Sequence, residues 1–177
     1  MTVNEIVALL ESQFSDAITG KKLDAIDPFI NVNPAKLVEV CTFLRDDSRL
    51  KFDLLNDITG VDYLETDAKK LAKAGFEPHL EVIYHVSSFA FPGRRFTFKV
   101  QLPRWKGNSV GELPEVPTVS TVWRTADWHE REVYDLFGIH FTGHPDLRRI
   151  LLADDWVGHP MRKDYEFPLE YHGIRCR

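Results

Sequence analysis

Apolar residues near the start of the chain fall at Ile6, Leu10, Phe14 and Ile18, a four-residue spacing that predicts an amphipathic helix. Thr2-x-x-Glu5 ahead of it has the form of a capping box, in which two side chains satisfy backbone N–H groups at the helix start. A short strand is expected at Phe29–Val32, and Asn33-Pro34 supplies an N-cap with proline at the first helical position. Leu37, Cys41 and Leu44 then form the buried stripe of a second helix, which places Cys41 in the core. The run LKFDLLNDITGVDYL reads as strand, turn and strand. KKLAKAG, residues 69–75, reads as an exposed basic loop in preference to a short helix.

The clearest alternation follows. Leu80, Val82, Tyr84 and Val86 alternate with polar residues, as do Phe96, Phe98, Val100 and Leu102, and the turn signal FPGRR lies between them. Together these predict an antiparallel hairpin with one apolar face. Two helices followed by mostly antiparallel strands make an α+β domain over roughly the first 103 residues. RWKGNSVGELPEVPT, rich in glycine, proline and charge, reads as a connecting loop, so the first unit is expected to cover residues 1–122. A helix and an extended C-terminal arm, residues 123–177, are expected after it.

Composition narrows the function. At 177 residues, 44% hydrophobic and 28% charged, the chain is long enough for one real core. A net charge of −5 argues against a nucleic-acid partner, which calls for a basic surplus. No apolar run approaches the roughly 20 residues that span a bilayer. The opening MTVNEIVALLESQF lacks the features of a secretory or transit segment, so the chain is expected in the cytoplasm or held to a membrane through partners. Two distant cysteines, Cys41 and Cys176, suit neither a disulfide framework nor a cysteine-held zinc or iron–sulfur centre.

Most of the chemistry-bearing residues lie after Trp123. WRTADWHEREVYDLFG predicts a helix from near Asp127 that ends at Gly138 as its C-cap. His129, Val133 and Leu136 share one side of it, and Arg131 is spaced to pair with Asp135 at i,i+4. IHFTGHPDLRRILL offers a short strand and a proline turn, and regular structure fades beyond Asp154. Gly143-His144-Pro145 is echoed by Gly158-His159-Pro160, too briefly to mark a repeat architecture. Large aromatics that gain from burial stand beside arginines and aspartates that must be paired if buried. Laid along another protein, such a segment finds both, so it is read as a partner-binding tail.

Several catalytic or ligand-binding readings compete with that one. Glu130 and Glu132 could form a carboxylate pair, but i and i+2 point apart on a helix, which favours structural or interface roles. His144 and His159, with Asp146, Asp154 and Asp155, could hold a metal, but their spacing is not a helical HxxxH; imidazoles that bond backbone or carboxylates and hold the turns fit better. Arg148, Arg149, Arg162 and Lys163 have no glycine-rich loop with them to cradle a phosphate, so they are expected to meet acidic groups of a neighbouring subunit. Trp128, Tyr134, Phe137, Trp156 and Tyr165 are expected as core and interface anchors in preference to a quinone or flavin stack.

EREVYDLFGIHFTGHPDLRRILL followed by DWVGHPMRKDY, with Gly138, Gly143, Pro145, Gly158, Pro160 and Asp164 at its turns, resembles the signature of the C subunit of bacterial NADH:quinone oxidoreductase, respiratory complex I. Two departures from that pattern are Met161 in place of leucine and Glu166-Phe167 ahead of the following proline. Leucine to methionine nearly conserves volume. The resemblance implies a scaffold component of the peripheral arm, packed chiefly against the D subunit with the B and I subunits close by. It further implies no flavin, cluster or nicotinamide site in this chain, with FMN and iron–sulfur clusters in partner subunits and NADH and quinone as substrates of the whole. Location at the cytoplasmic side of the cell inner membrane follows from the same resemblance. The rivals are the corresponding component of a membrane-bound hydrogenase or related quinone reductase, and an independent metal-dependent hydrolase using His144 and His159. On this reading, truncation after Asp154 leaves the domain folded and abolishes incorporation.

Overall fold

Thr2 and Glu5 close the expected capping box: the Thr2 hydroxyl accepts from the Glu5 N–H at 3.3 Å, and the Glu5 carboxylate accepts from the Thr2 N–H at 2.7 Å. A computed structural model of the chain describes residues 1–71 and 73–176. Helix α1 (Val3–Gln13) stops at Phe14, earlier than the spacing suggested, and Ile18 opens strand β1 (Ile18–Lys22). The reason is local. Phe14 leaves helical dihedrals, and the Ala17 carbonyl accepts from Asn33 N–H, tying this corner to the end of strand β2 (Phe29–Val32).

Asn33 caps a 3₁₀ turn at Pro34–Lys36 that runs into helix α2 (Leu37–Asp46), whose Leu37, Val40, Cys41 and Leu44 are buried. The run 50–64 does not fold as strand–turn–strand. It is a single strand, β3 (Leu54–Tyr63), with a register shift between Leu55 and Asp57 and Gly60 in its interior. Asn56, Asp57 and Gly60 are turn formers in isolation, but pairing with strand β4 (His79–Ser87) holds them extended. Between β3 and β4 the structure has a short helix, α3 (Ala68–Leu71), where a loop was expected from residue 69; Ala72 lies outside the described residues.

Strand β4 and strand β5 (Arg95–Pro103) form the expected hairpin, with Leu80, Val82, Tyr84, Val86, Phe96, Phe98, Val100 and Leu102 all buried on one face. The sheet order is β1-β2-β5-β4-β3, antiparallel except for the β2–β5 pair. On the other face Glu81 pairs with Lys99 at 3.1 Å, and the Lys99 ammonium lies over the Phe29 ring.

The loop after Pro103 holds a third piece of regular structure that the sequence did not disclose. Strand β6 (Glu115–Pro117) pairs in parallel with β7 (His140–Thr142), and helix α4 (Ala126–Phe137) connects them and packs against β3. Val116, Val133, Phe137, Ile139 and Phe141 join the same hydrophobic core as α1, α2 and the hairpin, so the core runs across positions 122 and 123. A two-stranded hairpin of β8 (Glu170–Tyr171) and β9 (Ile174–Arg175) lies near the C-terminus. Among the described residues no helix is long and apolar enough to cross a membrane.

Candidate functional site

Helix α4 ends at Gly138, whose φ of 65° puts it in the left-handed region and lets its N–H reach the Tyr134 carbonyl. The carbonyls left over at such an end attract a cation. Arg162 fills that role. Its Nε donates to Phe137 O at 2.7 Å, Nη2 to Gly138 O at 3.1 Å and Nη1 to Arg104 O at 3.1 Å. The guanidinium lies 3.9 Å from the centroid of the Trp105 ring. Burial, with Arg104 nearby, lowers its pKa from the usual arginine range.

Beside it Arg104 bridges two aspartates, Asp62 on β3 (2.8 Å) and Asp164 in the tail (2.7 Å). Asp62 also accepts from the Lys163 N–H at 2.9 Å. The tail is thereby tied to the sheet through both side chain and backbone.

The middle of the segment is organised by Asp135. Its fully buried carboxylate accepts from the N–H groups of Ile150, Leu151 and Leu152 at 3.1, 2.8 and 2.9 Å, and from Arg149 at 2.5 Å. Burial alone would raise its pKa; the Leu152 N–H, Arg149 and the other two N–H groups more than offset that and hold it below the usual carboxylate range. The expected Arg131–Asp135 pair along the helix therefore does not form. Arg131 turns to the Arg148 carbonyl at 3.2 Å and to Asp146 at 3.8 Å, because the returning chain presents better-placed acceptors than the helix surface does.

The two Gly-His-Pro turns share a left-handed glycine and a target, though not the ring nitrogen that reaches it. Gly143 and Gly158 have φ of 81° and 82°, and each histidine reaches a main-chain carbonyl of α4. His144 Nδ1 accepts from the Asp146 N–H at 3.0 Å, so the proton sits on Nε2, which donates to Asp127 O at 3.1 Å. His159 Nδ1 donates to Asp135 O at 2.9 Å, and burial lowers its pKa, which keeps the ring neutral. These carbonyls stand eight residues apart, about 12 Å along the helix. The histidines therefore serve opposite ends of α4 and do not converge on a metal; among the described residues no group of three or more His, Cys, Asp or Glu is arranged to hold one.

Glu130 and Glu132 separate as the helix geometry requires: Glu130 is fully buried, Glu132 exposed. Glu130 accepts from the Val119 N–H at 2.7 Å and from the Thr118 hydroxyl, with His144 Nε2 3.8 Å away. Burial pushes its pKa up to about 7 against the pull of those two hydrogen bonds. Of the expected aromatic anchors, Phe137 lies in the core against Gly60, while Tyr134 is half-buried and packs on the same core. Trp128 is exposed on α4, near the Arg131 guanidinium.

The four cations read as reaching for a neighbour are thus divided. Arg149 and Arg162 are used within the chain; Arg148, beside Asp146, and Lys163 remain exposed. Around this frame Leu151, Val157, Met161, Phe167, Leu169 and Ile174 stand exposed. Asp62, Arg104, Trp105 and Thr118 complete the site from outside the motif. In the sequence Arg104-Trp105 head a stretch that reads as a connecting loop, and no local signal marks any of the four.

A model of the family described as respiratory-chain NADH dehydrogenase, 30 Kd subunit, matches residues 30–171. The chain belongs to this family. Within the 30 Kd family, the C subunit of NADH-quinone oxidoreductase from Salinispora tropica is 40% identical over 163 residues, 90% of this chain and 60% of that protein. Its counterpart from Geobacter metallireducens is 40% identical over 171 residues, 96% of this chain and 92% of that protein. The chain therefore spans about three fifths of the length of the first relative and nearly all of the second. Among solved structures, a trypsin-resistant fragment (1-134) of Nqo5 superposes with a TM-score of 0.61 at 27% identity, covering 83% of this chain and all of that one. A chain of the membrane-bound sulfane sulfur reductase, an archaeal respiratory membrane complex, shares the fold with a TM-score of 0.68 at 24% identity, over 92% of this chain and 85% of that one.

Proposed function

We propose that this 30 Kd family member is a scaffold component in the peripheral arm of a proton-translocating NADH:quinone oxidoreductase. It packs beside the quinone-reducing D subunit, with the B and I subunits close by. FMN and iron–sulfur clusters belong to the partner subunits, and NADH and quinone are substrates of the whole assembly. The complex holds the chain at the cytoplasmic side of the cell inner membrane. Its contribution is position: a rigid surface that fixes neighbouring cofactors and the quinone site, where small displacements cost rate.

One observation carries this reading. The segment after α4 is held in a defined shape by buried charged clasps, yet Leu151, Val157, Met161, Phe167 and Leu169 project from it into solvent. Exposed apolar side chains on a rigid support mark a surface made to be covered.

The test is to tag the chain in its native host, purify it gently from solubilised membranes and identify what accompanies it by mass spectrometry. Co-purification with NADH-binding, iron–sulfur and membrane subunits is expected. A nickel-binding protein in their place assigns the chain to a hydrogenase-type complex, and a chain recovered alone overturns the scaffold reading.

A further inference from the structure

We propose that the cavity between the 155–158 turn and the C-terminal hairpin is a socket for one arginine side chain of a neighbouring subunit. This rests on the scaffold reading above and names the chemistry of the contact. The cavity encloses about 340 Å³, room for one long side chain together with part of its backbone. Trp156, Tyr165 and Tyr171 wall it, and Asp155, Glu166 and Glu170 bring carboxylates into its lining, which contains no cation.

The walls are built and braced. Trp156 and Tyr171 stand with ring centroids 4.9 Å apart and planes at 56°. The Tyr171 hydroxyl donates to Asp155 at 2.7 Å and His172 lies 2.8 Å from the other oxygen, which ties the hairpin to the turn. Tyr165 is held by a hydrogen bond from its hydroxyl to Val157 O at 3.1 Å and lies close against Gly158, whose missing side chain makes the room.

Asp155 is thus already engaged. Glu166 is exposed, and its side chain has no hydrogen bond or ion pair among the described residues; Glu170, also exposed, stands across the hairpin from Arg175. Aromatic faces together with an uncommitted carboxylate select a cation, and a planar guanidinium satisfies both at once by stacking while it donates. Val157, Phe167 and Leu169, exposed around this region, suit the apolar stem and the residues flanking it.

The experiment uses the complex isolated from its native host through a tag on another of its proteins, washed at rising salt, with the amount of this chain retained as the readout. Relative to wild type, Glu166→Gln is expected to reduce retention about threefold and Glu166→Lys about tenfold, whereas Glu112→Gln on the exposed loop changes nothing. Glu166 is exposed, so neither change threatens folding. Retention of Glu166→Lys equal to wild type overturns the socket and leaves the scaffold reading standing. Failure of the wild-type chain to co-purify at all removes both. A photoreactive phenylalanine analogue at Leu169 then names the occupant. The captured partner peptide is expected to contain arginine; a peptide without one overturns the assignment.

Discussion

The carboxylate of Asp135 meets the guanidinium of Arg149 at 2.5 Å, with three consecutive backbone N–H groups on its other side. One buried charge thus sets the path of residues 149–152. Asp135→Ala leaves Arg149 without its carboxylate and the three N–H groups without their acceptor, and is expected to cost about 3–5 kcal/mol, read by chemical denaturation. Because the folded pKa of Asp135 is lowered, its contribution is present above the unfolded carboxylate range and lost as pH falls through the folded value.

Glu130 runs the other way. Its pKa rises from the ordinary 4.5 to about 7 on folding, so the native state favours the protonated form. The contribution is complete below about pH 4.5 and is lost as pH rises through 7, on the order of 3 kcal/mol in all. Burial is the first cause; the Thr118 hydroxyl, the Val119 N–H and the Asp127 charge also act on it. His144 stands beside it, and the buried Tyr84 and Cys41 feel its charge. Glu130→Gln is expected to flatten the fall in thermal midpoint between pH 5 and 7.5 relative to wild type. An unchanged slope assigns the fall to another group.

Gly60 and Gly138 hold space for specific rings. A Cβ on Gly60 would stand 2.5 Å from the Phe137 ring, and one on Gly138 would overlap the His159 imidazole at a φ of 65°. Gly60→Ala is expected to destabilise by about 1–3 kcal/mol through overpacking. Gly138→Ala adds backbone strain of about 1 kcal/mol to a similar clash. Urea midpoints of the two variants give the order.

Arg162→Lys keeps the charge but loses the three-way fork and the stacking on Trp105. A loss of about 1–2 kcal/mol is expected, with a change in tryptophan emission as Trp105 is uncovered. Retained stability with unaltered emission counts against the fork as the clamp.

A truncation after Asp154 removes His159, Arg162 and Asp164, and with them the cap of α4. It is therefore expected to unfold part of the domain as well as abolish incorporation, contrary to the reading from sequence. A truncation after Tyr165 spares those contacts. It is expected to keep the thermal midpoint within a few degrees and still weaken assembly.

Local signals carried much of the fold. Thr2 and Glu5, Asn33-Pro34, the alternation from Leu80 to Leu102 and Gly138 each act within a few residues of one another, so spacing exposes them. Long-range contacts stayed hidden. Nothing near Gly60 announces that Phe137 will pack on it, so NDITG looked like a turn. Strand β6 is three residues long and exists only because β7 pairs with it from beyond α4. In the site, the charged residues of the motif were visible but their partners were not. Arg149 and Arg162 were expected to meet another subunit, whereas Asp135 and the end of α4 already satisfy them. Asp62 and Arg104 lie roughly 40 to 100 residues from what they hold, and no periodicity reports that distance.

The clasps on α4 share a habit: Arg131, His144, His159 and Arg162 all close on main-chain oxygens. A grip on main-chain oxygens makes no use of the side chains that α4 turns outward. Outward positions such as Trp128 and Glu132 are thereby free to be redrawn to suit a different neighbour while the strap keeps its course, which separates how the segment is held from what it presents.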